Sequence, residues 1–546
     1  MLYTKYAVFL AAIPRVLALW PIPRTLTTGT DFLRLSPTFT ITVNVHDPPQ
    51  DLLSAVSQTK TWAWFSDAGA LKTAPVLPSL TLTLQNTLPV LSISAESVKD
   101  VLNRSEGYTL SIPSDGKPAV LSANSTLGLF RGLTTFSQFW YDLNGVTYTN
   151  VGPVSIVKDV PAYPYRGFML DTARNFFPVS DIKRTLDAMS WVKINTFHWH
   201  IVDSQSFPLV LPDFPELAQK GAYSASEVYT PADVQDIVSY AAAEIDSPGH
   251  TAVIATSHPE HIACSQASPW STFANEPPAG QLRLASPATV NFTASLFTAA
   301  AQVLPSKHFS TGGDELNTAC YVQDAQTQAD LKASGHTLEQ ALNVFTEATH
   351  GALAKLGKTP VVWEEMVLEH NLTLSKDTVV MSVTWVWISS QNAALVAAKN
   401  FQIVHSPSDY FYLDCGAGEW IGKDPTGTPP EIAGVTPSNV AEVVHLRPPR
   451  QYNCRPSAPS SRRATTLVDR AVRRAEPRLD RVAARRTSAE IFWTGAKGPD
   501  GSALDGTEAL PRLHDLRYRM VQRGVGAIAL QPQWCALRPQ LCNLDS

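Results

Sequence analysis

The chain after Pro161 alternates short β-type runs with helical patterns, and the runs tend to end in charged or aromatic residues. The runs cover residues 166–171, 194–203, 307–315, 359–364, 379–385 and 401–405, with helices predicted near 180–192 and 231–243. Such alternation builds parallel sheets, and polar groups at strand C-termini are typical of a (β/α)8 barrel with its active site on that face. We therefore predict an α/β fold whose catalytic domain is a (β/α)8 TIM barrel, with a C-terminal extension, over residues 161–546.

Residues 20–160 have a different texture. Short β-type runs at 39–45, 80–84, 108–112 and 119–121 alternate with turns, and a helical stretch follows from about Gly128 to Trp140. The segment holds no cluster of catalytic residue types. It predicts a small α+β domain with a structural or positioning role.

The first 19 residues resemble a secretion signal. Lys5 precedes an apolar run at 6–13, and Ala18 offers a small residue for cleavage, although Pro14 and Arg15 interrupt the run. No later stretch reaches about 18 uninterrupted apolar residues, which argues against a membrane span. N-glycosylation sequons begin at four asparagines: Asn103, Asn124, Asn291 and Asn371. We expect a secreted, extracellular or cell-wall protein.

The six cysteines, an even number, suit an oxidising compartment. Cys535 and Cys542 are close enough in sequence to clip a C-terminal loop, and Cys264 and Cys320 flank the central acidic motif. Because no cysteine has metal-site spacing, we predict disulfides at these positions and no metal or other cofactor. The net charge of −5 and the lack of a basic stripe give no case for nucleic acid.

The central motif is Gly312-Gly313-Asp314-Glu315. Glycines allow sharp turns and close approach of a ligand. Two adjacent carboxylates repel, so in a confined site one tends to keep its proton to a higher pH. An enzyme needs this arrangement when one carboxyl donates a proton and the other stays charged. The alternative is a strand-to-loop junction with two solvated acids.

Four motifs in this order resemble glycoside hydrolase family 20, the β-N-acetylhexosaminidases, and especially its secreted fungal members. They are Arg166-Gly…Leu-Asp-Thr-Ala-Arg174, His198-Trp-His…Asp203, Asp246-Ser-Pro-Gly-His250 and the GGDE motif. The resemblance implies an exo-acting enzyme that removes terminal N-acetylglucosamine or N-acetylgalactosamine from chitin fragments and glycans, and a homodimer. It also implies retaining catalysis in which the substrate's own acetamido oxygen attacks the anomeric carbon.

The resemblance assigns roles residue by residue. Glu315 is the general acid/base, and Asp314 stays ionised and holds the acetamido N–H. The resemblance also implies substrate-binding residues. Arg174 would bind sugar hydroxyls, and Asp203, Asp246 and His250 would form a polar network that tunes the acid. Trp363 and Trp387 would form walls of the pocket, and Tyr412 and Asp414 would contact the acetamido oxygen and a sugar hydroxyl. The alternatives without a binding role are a surface salt bridge for Arg174, a structural role for His250, and tryptophans that are simply buried in the barrel. Arg166 is taken as structural.

Two departures from the family pattern stand out. The helix from Pro231 runs almost directly into Asp246, which leaves too few residues for a turn and a strand. The third barrel strand, near residue 244, is therefore expected to be largely deleted. Residues 447–486 hold 12 arginines, no lysine and one aromatic residue, and the Trp-x-Glu pair that the resemblance requires at the eighth strand is missing from the anomalous segment 425–488.

Three interpretations of the arginine-rich segment are open: a basic insertion that binds something acidic, a solvated loop, or a stretch translated out of frame. A barrel that lacks two strands exposes edges and opens its core. On that basis the chain as written is expected to be insoluble or inactive. The functional alternatives are a catalytically inactive sugar-binding relative, a faulty translation of an active enzyme's gene, and a chitinase, whose acidic motif is spaced differently.

Overall fold

The structure is a computed structural model. It describes residues 19–62, 73–85, 89–143, 146–240, 243–246, 252–304, 306–382, 389–406, 463–467, 489–504, 506–527, 529–538 and 541–542. Residues 1–18 of the predicted secretion signal (1–19) lie outside these ranges, as does the larger part of the arginine-rich segment.

The N-terminal domain is a six-stranded sheet with helices on it. Its strands are β1 (Thr27–Asn44), β2 (Val76–Leu84), β3 (Tyr108–Ile112), β4 (Ala119–Ala123), β5 (Tyr141–Leu143) and β6 (Val146–Asp159), and its helices are α1 (Gln50–Trp62), α2 (Ile93–Ser97) and α3 (Thr126–Gln138). The order in the sheet is β1-β2-β4-β3-β6-β5, with β1 also pairing with β6. Helix α3 starts at a Ser125 cap and buries Leu129, Leu133 and Phe136 in the domain core.

The second domain is a closed barrel of parallel strands. They are β7 (Arg166–Asp171), β8 (Thr196–His200), β9 (Ala243–Asp246), β12 (His308–Ser310), β13 (Thr359–Trp363), β14 (Val379–Ser382), β15 (Gln402–His405) and β16 (Arg463–Leu467). A small antiparallel pair, β10 (Ile262–Ala263) and β11 (Gln281–Leu282), lies in the connection after β9. The predicted α/β class with a (β/α)8 barrel and a preceding α+β domain is confirmed.

Helices connect the barrel strands and pack outside them. They are α4 (Val179–Trp191), α5 (Pro215–Gly221), α6 (Pro231–Tyr240), α7 (Trp270–Phe273), α8 (Pro287–Val303), α9 (Thr318–Gln323), α10 (Ala325–Ser334), α11 (Leu338–Lys355), α12 (Glu365–Leu368), α13 (Ser389–Ala398), α14 (489–494), α15 (Gly506–Gln522) and α16 (Gln533–Ala536), with short 3-10 turns at Ala252–Thr256 and Pro259–His261. Among the described helices, none is both long enough and apolar enough to cross a membrane.

The third barrel strand is present, contrary to the sequence prediction. Helix α6 ends at Tyr240 and not at Ala243. Strand β9 follows and pairs in parallel with its neighbours, with Asp246 in register with His200 on β8 and Ser310 on β12. The alanines before Glu244 favour a helix by less than about 1 kcal/mol each. Hydrogen bonds to a strand on either side outweigh that preference, so the chain enters the strand earlier than its composition indicates.

The eighth strand lies within the segment that was predicted to be anomalous. Arg463–Leu467 forms β16, which pairs in parallel with β15 through Val404 and with β7 through Gly167. Its two threonines and terminal leucine suit a strand, but the surrounding arginines obscured that signal. The barrel therefore closes, and the prediction of a broken barrel is wrong. The expectation of an insoluble or inactive chain loses its structural basis.

Each domain core contains a tryptophan that comes from the opposite end of the chain. Trp20, from the first described segment, lies in the barrel core, and Trp493, from α14 near the end of the chain, lies in the N-terminal core. The Trp20 backbone N–H donates to Gln138 Oε1 at 2.7 Å. The Trp493 Nε1–H donates to Asp159 Oδ2 at 2.8 Å. Each domain therefore depends on a residue from the opposite end of the chain.

A buried charge cluster joins the domains at the N-terminal end of β7. Arg166 donates to Glu106 Oε2 at 2.5 Å, Arg131 donates to the same oxygen at 2.9 Å, and Asn195 donates to Glu106 Oε1 at 3.2 Å. Burial alone would raise the pKa of Glu106, but the charges of Arg166 and Arg131 outweigh it and lower the pKa to about 2. Arg166 therefore has the structural role expected from the sequence, remote from the C-terminal ends of the strands.

Candidate active site

The loop after β12 has a backbone that requires glycine. Gly312 and Gly313 have φ angles of 70° and 100°, in the left-handed region that L side chains rarely adopt. A Cβ on Gly313 would lie 2.3 Å from Cγ of Met366. Both the conformation and the packing against the segment after β13 therefore explain the paired glycines of the motif.

The two acidic side chains of this loop lie in different environments. Asp314 is buried at 9% exposure, whereas Glu315 is half-buried. Glu315 has a φ of 56°, and such a conformation costs of order 1–3 kcal/mol for a residue other than glycine and is typical of functional sites. The burial of Asp314 contradicts the alternative of two solvated acids.

Strand β13 and helix α11 hold the loop on one side. The Thr311 N–H donates to the Val361 carbonyl at 2.9 Å, and the Trp363 N–H donates to the Gly312 carbonyl at 3.1 Å. His350 Nε2 lies 3.1 Å from Thr311 Oγ1. Burial lowers the pKa of His350 to about 4, so this imidazole is neutral near pH 7 and adds a hydrogen bond without a charge.

The connection after β9 fastens the loop on the other side. Asn317 and Gln281 exchange two hydrogen bonds, from Asn317 N–H to Gln281 Oε1 at 2.9 Å and from Gln281 Nε2 to the Asn317 carbonyl at 3.0 Å. Asn317 Oδ1 also caps α9 by accepting from the Cys320 N–H. Cys320 forms a disulfide with Cys264. The acidic pair is thus fixed between two anchored segments.

Arg174 lies in a buried cluster of carboxylates beside this loop. Its guanidinium contacts Asp171 Oδ2 at 2.6 Å, Asp203 Oδ2 at 2.9 Å and the Glu276 carboxylate. Asp203 Oδ2 also lies 2.7 Å from His200 Nε2. Arg174 is 7% exposed, so its ion pairs are buried and the alternative of a surface salt bridge is wrong.

The local sequence explains how Arg174 reaches this position. Strand β7 ends at Asp171, whose Oδ1 accepts from the backbone N–H groups of Ala173 and Arg174 at 2.9 Å each. The turn directs the arginine across the C-terminal ends of β7 and β8, where Asp203 lies. A guanidinium with five donors suits several oxygen partners at once, so a hydroxyl-rich ligand meets a donor already oriented by carboxylates.

Of the remaining predicted residues, Trp363 and Asp246 lie in the described part of the chain. Trp363 is 2% exposed, in a barrel-interior cluster, and its ring stacks on His198 with centroids 6.5 Å apart. Asp246 ends β9 in register with His200 and Ser310, at the C-terminal ends of the strands. Predictions for His250, Trp387, Tyr412 and Asp414 lie outside the described residues.

Two acidic residues that the sequence analysis missed belong to this face. Glu276 contacts Arg174, but it comes from a long connection without a recognisable pattern. Glu365 follows Trp363 by two residues at the end of β13, a position where the barrel rule could have selected it. Burial and the charge of Asp314 raise the pKa of Glu365 to about 8.

The predicted covalent features are compatible with the structure. Cysteines pair as Cys264–Cys320 and Cys535–Cys542. Cys415 and Cys454 lie outside the described residues. The side chains at the sequons are all exposed: Asn103, Asn124, Asn291 and Asn371. An exposed asparagine is a requirement for attachment of a glycan, which itself stays a prediction.

Family models match both domains. The model for "Glycosyl hydrolase family 20, catalytic domain" matches residues 163–460. The model "beta-acetyl hexosaminidase like" matches residues 19–139. The two matches together cover the larger part of the chain and fall on the barrel and on the N-terminal domain respectively.

Two relatives align with most of this chain. The chain is 31% identical over 479 residues to a beta-hexosaminidase of Arthroderma benhamiae, covering 82% of this chain and 76% of the relative. It is also 31% identical over 550 residues to a chitooligosaccharidolytic beta-N-acetylglucosaminidase of Bombyx mori, covering 96% of this chain and 89% of the relative.

Solved structures share the fold. A chitobiase of Flavobacterium johnsoniae superposes with a TM-score of 0.72 at 23% identity over 94% of this chain and 74% of that one. A β-N-acetylhexosaminidase of Streptomyces coelicolor A3(2) gives 0.65 at 20% identity over 95% and 98%. The barrel and its family matches define a glycosidase. The chain belongs to glycosyl hydrolase family 20, and its activity is that of an exo-β-N-acetylhexosaminidase.

Proposed function

We propose that Glu315 and Asp314 carry the reaction, which releases terminal N-acetylglucosamine or N-acetylgalactosamine from β-N-acetylhexosaminides with retention of configuration. The observation that carries this proposal is the difference between the two neighbours. Asp314 is buried, and Glu315 is half-buried on a strained backbone at the C-terminal end of β12. Adjacent carboxyls in unlike environments suit one acid and one permanent anion.

In the first step the acetamido carbonyl oxygen of the substrate attacks the anomeric carbon, and the glycosidic bond breaks. Glu315 gives its carboxyl proton to the leaving oxygen. Asp314 holds the acetamido N–H and offsets the positive charge of the oxazolinium-type intermediate. In the second step Glu315 takes a proton from water, and the water oxygen bonds to the anomeric carbon. The oxazolinium-type ring opens, the acetamido group is restored, and the product keeps its configuration.

The buried polar cluster supports a binding role for Arg174 and Asp203. Both lie on the same face as the acidic pair, and the guanidinium is already oriented by carboxylates. We infer that Arg174 binds sugar hydroxyls and that Asp203 fixes its orientation. Trp363, Trp387, Tyr412, Asp414, Asp246 and His250 keep their proposed roles on family resemblance, with chitin fragments and glycans as substrates.

Secretion and a homodimer are part of the same proposal. Two disulfides and exposed sequons support an oxidising, extracellular location. The homodimer rests on the family resemblance. Size-exclusion chromatography with light scattering on the purified chain measures the assembly directly.

Turnover by two variants tests the roles of the pair. Glu315→Gln should lower kcat for a chitobiose substrate by about 10²–10⁴-fold, and less for a 4-nitrophenyl N-acetyl-β-glucosaminide, whose leaving group needs little protonation. Asp314→Asn should lower kcat for both substrates by a similar factor, because Asp314 assists the attack of the acetamido oxygen. Glu347→Gln, an exposed change on α11, is the control. Full turnover by Glu315→Gln on chitobiose would refute the assignment and favour a sugar-binding protein.

A further inference from the structure

Glu365 is brought to the acidic pair by the packing of two loops. Strand β13 continues beside the catalytic loop through the hydrogen bond from Trp363 N–H to the Gly312 carbonyl. Helix α12 then begins at Glu365, and Met366 lies directly against Gly313. The first turn of α12 therefore sits next to the residue that precedes Asp314, and the charge of Asp314 acts on the Glu365 carboxyl.

The backbone of Glu365 itself favours the ionised form of the carboxyl, but burial and nearby acidic groups outweigh it. Its Oε2 is buried and, in the described part of the chain, accepts no hydrogen bond. The charged groups that act on it are Asp314, Glu364 and Glu369, all acidic. The neighbouring Glu364 is 2% exposed and takes the nearby donors Ser382 Oγ at 2.6 Å and Asn392 Nδ2 at 3.1 Å.

Cations near α12 are directed elsewhere. Lys399, which follows α13, donates to the Val367 carbonyl. His370 Nδ1 lies 2.9 Å from Glu339 Oε1 on α11. Burial and the Asp314 charge together raise the pKa of Glu365 to about 8. A carboxyl in this state is neutral below about pH 8.

We propose that Glu365 is a positioning residue of the active site, a third carboxyl whose retained proton keeps the negative charge of the site on Asp314. The proposal rests on the roles of Asp314 and Glu315 proposed above. Interaction between two titrating groups is reciprocal. An ionised Glu365 would repel Asp314 and displace the carboxylate that has to meet the acetamido N–H. A neutral Glu365 packs beside Asp314 without that repulsion.

The retained proton has a stability signature that does not depend on catalysis. The folded pKa is raised above the ordinary 4.5, so folding binds a proton between about pH 4.5 and 8, and stability falls as pH rises through this window. The melting temperature of the full-length chain, relative to that of Glu365→Gln, should therefore decrease from about pH 4.5 to 8 and stay level above it. In an Asp314→Asn background the upper end of this window should move to lower pH.

The catalytic signature is a change in pH profile. Above about pH 8 the neutral fraction of Glu365 falls about tenfold with each pH unit, so kcat/KM of the native enzyme should fall about tenfold per unit through this carboxyl. The ratio of Glu365→Gln to native kcat/KM should therefore rise about tenfold from about pH 7 to 9. Glu347→Gln, an exposed change on α11, should follow the native profile.

The two measurements separate the possible failures. If native and Glu365→Gln melting temperatures run parallel at all pH values, Glu365 does not retain a proton and the proposal is overturned. If the melting signature is present but the activity ratio stays flat, the proton has no catalytic consequence, which also overturns it. If Asp314→Asn keeps full activity, the proposed function fails, while the melting comparison still reports on Glu365.

Discussion

Two glutamates at opposite ends of the barrel strands, the buried Glu106 and the half-buried Glu365, have pKa values that move in opposite directions. Glu106, at the domain junction, is surrounded by Arg166 and Arg131, and its pKa falls to about 2. At the active site, burial and the charges of Asp314 and Glu364 raise the pKa of Glu365 to about 8. The same side chain is held charged in one place and neutral in the other, because the partners differ while burial is common to both.

The difference separates a stabilising site from a functional one. At the junction every oxygen of Glu106 is met by a donor, as buried charges require for stability. At the active site the Glu365 carboxyl has an oxygen without a hydrogen-bond partner among the described residues, beside a loop with a strained backbone. Such features cost stability and persist where the surrounding structure enforces them.

The largest effect is expected from removing the main cation at the junction. Arg166→Met leaves Glu106 buried without its shortest contact and should destabilise the full-length chain by about 3–5 kcal/mol in urea unfolding. The double variant Arg166→Met/Glu106→Gln should lose less than the sum of the single changes, since it removes both charges. Activity of the folded fraction should persist, because Arg166 and Asp171 are separated by the length of β7, about 17 Å. A loss below about 1 kcal/mol would contradict a stabilising role.

Acid should weaken the junction in a defined pH window. The folded pKa of Glu106 lies below the ordinary 4.5, so its contribution is fully present above about pH 4.5 and is lost as pH falls toward 2. The expected loss is about 3 kcal/mol, measured by urea unfolding at a series of pH values. Glu106→Gln should remove this dependence. Glu365 acts with the opposite sign above pH 4.5, so equal pH profiles for the two glutamine variants would break the comparison.

A smaller effect is expected from the tryptophan that reaches the junction. Trp493→Phe removes the indole N–H that donates to Asp159 and weakens the contact of its ring with the Lys193 ammonium, 4.1 Å from the ring centroid. A loss of about 1–2 kcal/mol in unfolding free energy is expected. Trp534→Phe, at a side chain that is 53% exposed, is the matched control and should change stability by less than about 0.5 kcal/mol. Equal effects would show that the N–H is not used.

The sequence predicted what depends on pattern along the chain. Strand β7 was predicted at the residues where it forms, and the GGDE motif was predicted at the end of a β-type run, which forms β12. Arg174 was selected from the family resemblance alone. Glu365 lies at the end of a β-type run, where the barrel rule could have selected it, but its raised pKa depends on burial and on the charge of Asp314, which no periodicity records. The short β9 was missed because its alanine-rich entry favours a helix until neighbouring strands pair with it.

The exchange of tryptophans between the two cores has a consequence for biosynthesis. Domains generally fold in order as the ribosome releases them, the N-terminal one first. Here the N-terminal core includes Trp493, which is translated only when the chain is close to completion. The N-terminal domain must therefore wait, with part of its apolar interior uncovered, until the barrel has been synthesised. A nascent chain of this kind has its greatest need of chaperones just before release, and a late stop codon disables the first domain as well as the last.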